Sequence, residues 1–261
     1  MFYFLLTLAT GMGGMGLGGA LAAVIKRRDA RLTCAFLSFA GGIMVGIVCF
    51  GLVPEALHDA SVWVVLAGIV AGAAAVQLLN RLVDRLTKAV AETRLPHATP
   101  EALFHAEDLL DAGTRPALLR SGILMLMAIG LHNLPEGMAI GAAGMHDETF
   151  GVMLAVMIAL HNIPEGMAIG APLMAGGLSP RLTVGLVALS GLPTALGGLI
   201  GLVLGGLSEA VTSFVLALAG GAMLYVVFGE VIPQAVTMQK TRLPTIVLLA
   251  GVLAGLLLCA V

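Results

Sequence analysis

The sequence predicts an all-α integral membrane protein of eight transmembrane helices in a 3+2+3 inverted-repeat architecture. Three observations carry that reading: the apolar composition, the one-sided placement of basic residues, and two internal repeats. Of 261 residues, 59% are apolar and 11% charged, against about 25% charged in a soluble domain. Spans of about 20 residues, the length that crosses a hydrocarbon core, fit eight times: near 2–25, 33–57, 62–83, 119–145, 149–175, 182–206, 210–238 and 244–260. Residues 1–261 then form a single transmembrane domain, whose longest polar stretch, 84–118, is too short and too poor in apolar residues to build a core. A net charge of −2 offers no basic surface to nucleic acid.

The basic residues set the orientation. With eight spans, the 1–2, 3–4, 5–6 and 7–8 loops share one side of the membrane. They carry Lys26, Arg27, Arg28 and Arg31, then Arg81, Arg85, Lys88, Arg94, Arg115 and Arg120, then Arg181, and last Lys240 and Arg242, which is all 13 of the Lys and Arg. The opposite side has Asp59, Asp147, Glu148 and Glu209 and no basic residue. The positive-inside rule puts both termini outside the cytoplasm, in a multi-pass protein of a cell (inner) membrane. The first span lacks a basic lead and a small-residue cleavage site, so it reads as a retained helix. Cys34, Cys49 and Cys259 lie in apolar segments without CxxC spacing and read as packing residues.

The repeats give the architecture. HNLPEGMAIGA at 132–142 recurs as HNIPEGMAIGA at 161–171, ten of eleven residues identical. AGGIMVGIVCFGLVPEA at 40–56 resembles AGGAMLYVVFGEVIPQA at 219–235, with seven of seventeen identical. Within each pair the two helices run in opposite directions, as inverted-topology repeats do around a midplane binding site. Helices 1–3 then mirror helices 6–8, and helices 4 and 5 mirror each other. Gly-rich apolar helices also resemble one another by composition alone, an alternative that bears on the weaker pair.

The duplicated motif is the candidate site. Helix 4 is centred near His132 and helix 5 near His161, with Asn133, Asn162, Glu136 and Glu165 within a turn. Ionisable groups at that depth cost several kcal/mol and are rarely without a partner or a function. His and Glu four residues apart share a helix face, so each helix is expected to offer an imidazole and a carboxylate together. Pro135 and Pro164 lack an amide proton and free the Leu131 and Leu160 carbonyls one turn earlier. Gly137 and Gly166 let backbones approach closely or the helix bend. Two imidazoles with carboxylates suit zinc, iron, cobalt, nickel or manganese, and poorly suit magnesium or calcium. A hydrogen-bonded knot between two helices is the plain structural alternative; two matched copies of H-N-x-P-E-G argue against it.

Secondary candidates surround this centre. Met44 in helix 2, with its repeat mate Met223, could add a soft thioether ligand favouring zinc, cadmium or copper(I), although most of the 14 Met must be filler. Glu55 and Glu230 flank Pro54 and Pro233 nearer the membrane edges and read as lining an entrance and an exit, or as paired to polar neighbours. His58 and Asp59, with His146, Asp147 and Glu148, form an acidic, metal-attracting outer rim or a solvated one. The 84–118 loop carries His97 and His105 among acidic residues, for a metal-holding role or as a linker.

At H-N-L-P-E-G and H-N-I-P-E-G the chain resembles the ZIP (Zrt/Irt-like) family of divalent metal-ion transporters, in the style of its bacterial ZupT and GufA branches. The resemblance spans essentially the whole chain. It implies uptake into the cytoplasm of Zn2+, or of Fe2+, Mn2+ or Cd2+, as cargo rather than resident cofactor. It also implies a homodimer in the lipid bilayer, and an elevator-like movement of helices 1, 4, 5 and 6 against 2, 3, 7 and 8. Carried over by position, one metal place would use His132, His161 and Glu165, with Met44 matching a family ligand. An adjoining place would use Asn133, Glu136, Asn162 and Glu165. The chain departs where family members often have a bridging Glu on helix 6: Ser190, Gly191, Leu192, Pro193 are followed here by Thr194. Some members also have Asp where Asn162 stands, so a single bound ion is the expected state. No H-E-x-x-H string occurs, which argues against an intramembrane metalloprotease; an enzyme is not expected. A metal-selective channel or a membrane metal sensor is the alternative.

Overall fold

A computed structural model describes residues 1–24, 30–90 and 114–260, so His97 and His105 lie outside the described residues. The protein is an all-α, multi-pass membrane protein. Among the described residues seven helices are long and apolar enough to cross a bilayer: α1 Phe2–Val24, α2 Cys34–Asp59, α3 Val62–Leu82, α4 Leu118–His146, α5 Glu148–Ala175, α6 Pro180–Gly205 and α7 Glu209–Thr237. A shorter apolar helix, α8 Leu243–Cys259, follows. Trp63, Val70 and Leu78 on α3 and Ile246 and Leu257 on α8 are among many large apolar side chains on the surface. Water would penalise such a surface, whereas hydrocarbon solvates it.

The turns that set the register are capped as the sequence allows. Asp147 alone separates α4 from α5, and its carboxylate accepts from the Thr149 and Phe150 amides at 2.7 and 3.1 Å. Ser179 and Ser208 cap α6 and α7 in the same way, through the Leu182 and Val211 amides. Each oxygen satisfies an amide that the first helical turn leaves bare. Gly177, at φ 103°, makes the left-handed turn between α5 and α6 that a side chain would oppose.

Helices pack in two groups. In one, α1 lies along α5 and α6, and α4 lies along α5 and α6. In the other, α2 lies along α8 and α3 along α7. The groups meet where α4 faces α7 and where α2 faces α5. An apolar core of Met44, Ile47, Ile140, Leu154, Ile158, Leu216 and Met223 fills that junction.

The helices are less regular than the hydropathy pattern suggests. The span expected as one helix over 182–206 breaks at Ser190–Gly191, into Pro180–Leu189 and Leu192–Gly205. Pro193 at the start of the second piece has no amide to continue the ladder. Wider π-type turns interrupt α1 at Ala9–Gly13, α2 at Val48–Leu52 and α7 at Val227–Val231. In α2 and α7 the α-helix resumes with Pro54 or Pro233 in its first turn. An extra residue per turn there accommodates a position that cannot donate a hydrogen bond, and such bulges concentrate at functional sites.

Candidate metal centre

α4 and α5 carry the duplicated motif at the middle of each helix. His132 lies halfway along Leu118–His146 and His161 halfway along Glu148–Ala175. His132, Asn133, Glu136, His161, Asn162 and Glu165 are all buried. Their pairing crosses between helices. His161 Nε2 lies 3.0 Å from Glu136 Oε1, and His132 Nε2 lies 3.6 Å from Glu165 Oε2. The four-residue spacing offers His132 and Glu136 together on α4, with ligand atoms within 4.8 Å of each other. The ion pairs of both imidazoles run across the α4–α5 interface.

His132, Glu136 and Glu165 form one group whose ligand atoms all lie within 4.8 Å of one another, and His161 adjoins it through Glu136. Donors about 2.1 Å from a tetrahedral ion stand about 3.4 Å apart, close to both cross-helix distances. This gathers the same four titratable residues that the sequence singled out, with Glu136 more central than expected. Met44 is fully buried, packed in the apolar core at the junction of the helix groups.

The two asparagines do something the sequence did not reveal. Asn133 donates to the Ser190 carbonyl at 3.0 Å, where α6 breaks. Asn162 donates to the Thr10 carbonyl at 3.4 Å, inside the π-turn of α1. Each amide thus satisfies a carbonyl beside an irregular turn, while its Oδ1 stays buried without a partner. Glu136 Oε2, both Glu165 carboxylate oxygens, His132 Nε2, His161 Nδ1 and Thr194 Oγ1 are likewise buried without a hydrogen-bond partner. Buried polar atoms left this way cost about 1–3 kcal/mol each. A concentration of nitrogen and oxygen lone pairs in one place fits a cation. The Ser-Gly-x-Pro string at 190–193 is the sequence feature that accompanies the α6 break, and no proline accompanies the α1 turn.

Glycines set the approach of the helices that carry these groups. A Cβ on Gly137 of α4 would overlap the Thr194 carbonyl of α6. A Cβ on Gly166 of α5 would overlap the Met15 carbonyl of α1. The glycine after each motif glutamate therefore serves close contact.

A family model described as Zip, ZIP Zinc transporter, matches residues 90–261, which include both motif copies and α6 to α8. The chain belongs to the ZIP family. Curated ZIP relatives agree. It is similar to "Zinc transporter ZupT" of Akkermansia muciniphila, 35% identical over 158 residues, 57% of this chain and 55% of that protein. The protein of the same description from Nitratidesulfovibrio vulgaris is 30% identical over 159 residues, 57% and 55% of the two chains. That from Corynebacterium efficiens is 28% identical over 155 residues, 56% and 54%. The aligned part spans about half the length of these curated relatives.

Proposed function

We propose that this chain is a secondary transporter that carries a divalent transition-metal ion, zinc foremost, into the cytoplasm. The observation that carries this reading is the crossed His132–Glu165 and His161–Glu136 arrangement, buried at mid-depth and rich in unpartnered donor atoms. The ion binds chiefly to His132, Glu165 and Glu136 with His161; Asn133, Asn162 and Met44 complete its surroundings. One divalent ion neutralises the two carboxylates, which lowers the cost of burying all of them. The relatives' printed names point to zinc, and imidazole with carboxylate suits it.

An alternating carrier of eight spans, arranged 3+2+3, is favoured over a channel. α8, with 17 residues, is at the short end of what spans a bilayer. Repeat-related contacts support the architecture. Gly42 of α2 abuts the Leu248 carbonyl of α8, and its mate Gly221 of α7 abuts the Ile69 carbonyl of α3. Gly251 meets Phe39 and Gly72 meets Leu218, again carbonyl to Cα. Gly137 against Thr194 answers Gly166 against Met15. The π-turns Val48–Leu52 and Val227–Val231 take equivalent places. Throughout, α1–α3 correspond to α6–α8 at one constant spacing along the chain. The two helix groups are the bodies that would move against each other, and the base-free end faces outward, in a homodimer of the cell membrane.

Uptake into sealed proteoliposomes across a panel of zinc, cadmium, iron and manganese tests the reading. Saturation near the ion's binding constant is expected. Flux that rises linearly with concentration would indicate a channel, and no metal flux would sink the proposal.

A further inference from the structure

A second set of metal-ligand atoms lies at the acidic end of the bundle, where α2 and α4 finish. His146 Nε2, in the last turn of α4, is 2.9 Å from Asp59 Oδ2 and 3.9 Å from Glu55 Oε1 of α2. One atom from each of the three residues lies within 4.8 Å of the others. At 1.5 Å per residue, His146 is about 15 Å along α4 from Glu136, too far to share an ion with the central residues.

We propose that Glu55, Asp59 and His146 form a separate divalent-metal site that ties the end of α2 to the end of α4. The distances of 2.9 and 3.9 Å bracket the separation of about 3.4 Å between donors around a tetrahedral zinc. Asp59 is already held in place by a neighbour, because its other oxygen, Oδ1, pairs with His58 Nδ1 at 2.7 Å. Such outer partners commonly fix a ligating carboxylate. Asp147, by contrast, caps α5 through its Oδ1, and the converging ligand atoms are those of Glu55, Asp59 and His146. The surroundings favour a cation, since this end has Glu148 and Glu209 as well and no Lys or Arg in its connecting turns. The three residues are partly exposed, so an ion exchanges with water there and fourth-ligand water is available. Because α2 and α4 belong to different helix groups, an ion bound here couples those groups at their acidic ends.

Zinc binding by the full chain in lipid nanodiscs tests the site, with the central residues disabled by His132→Ala and Glu165→Gln. One zinc ion per chain is expected to remain. Its affinity should fall at least about tenfold on adding His146→Ala or Asp59→Asn. X-ray absorption should report an imidazole nitrogen on that zinc, lost in His146→Ala and kept in His58→Ala. No zinc bound to the centrally disabled chain, or binding unmoved by both outer substitutions, overturns the proposal. Uptake is not the readout, so failure of the transport reading and failure of this site are distinguishable.

Discussion

His132 of α4 reaches Glu165 of α5 at 3.6 Å, while His161 of α5 reaches Glu136 of α4 at 3.0 Å. The repeat has therefore produced two crossed pairs across one interface. Removing one member of a crossed pair leaves its partner buried and bare, so the effects of removing both should not add. A double-mutant cycle for His161→Ala and Glu136→Gln should give a coupling energy of about 0.5–3 kcal/mol. The same-helix pair His132 and Glu136 should couple less. Thermal unfolding in detergent without added metal measures both, and equal coupling would contradict the crossed arrangement.

Zinc binding should depend on all four titratable residues. His161→Ala or Glu165→Ala should abolish measurable zinc uptake in proteoliposomes while the chain inserts and stays monodisperse. Transport at the unaltered rate in either variant would mean that the ion takes another route.

Protons should compete with the ion. A ligating imidazole must be neutral and a ligating carboxylate ionised, and an ordinary imidazole titrates near pH ~6.5. At about pH 5.5, below that value, protons compete with the ion for imidazole nitrogen more strongly than at about pH 7.5, and binding weakens. Below that value, each imidazole that must lose a proton should cost about tenfold in affinity per pH unit. Zinc titration of the purified protein at both pH values checks this, and an unchanged constant would exclude imidazole ligands.

Close helix approach should be costly to disturb. Gly137→Ala would place a methyl in the Thr194 carbonyl, forcing α4 and α6 apart at about 1–3 kcal/mol, the range for overpacking. Gly185 of α6, with open space around its Cβ direction, is the control, and its change to Ala should be close to neutral. The melting temperature should separate the two variants.

Much of this was legible in the sequence, for physical reasons that differ by element. Apolar helices were legible over α1 to α7, because burial of backbone polar groups leaves a membrane chain little choice but helix. His132, Glu136, His161 and Glu165 were legible because ionisable groups stand out in apolar helices. What was not legible depends on tertiary contact. Nothing local says that His161 chooses Glu136 on the next helix over Glu165 on its own. Nor does Asn162 reveal that it will serve the Thr10 carbonyl, since the α1 π-turn has no proline or polar run to mark it. The Asp59–His146 contact likewise joins residues far apart in sequence, each of which alone reads as a solvated loop.

Thr194 offers the sharpest test of the charge balance. It is fully buried at the start of the second piece of α6, with its hydroxyl beside Gly11 of α1 and its carbonyl beside Gly137 of α4. Its Oγ1 has no hydrogen-bond partner, as is true of Glu136 Oε2 and both Glu165 carboxylate oxygens. Two divalent ions would bring four positive charges to Glu136 and Glu165, with only neutral Thr194 and Asn162 nearby. One ion is balanced by those two carboxylates, and balance matters most where water is excluded. The unaltered protein should accordingly hold one zinc tightly in the central cluster. Thr194→Glu adds a third carboxylate beside it. That variant should gain a second central ion and release metal more slowly, seen as a lower maximal rate at unchanged or lower half-saturation. The outer residues are removed for this experiment by His146→Ala and Asp59→Asn, so that only central ions are counted. Metal analysis and anomalous scattering then give the occupancy. Two fully occupied central ions in the chain that keeps Thr194 would sink the charge argument.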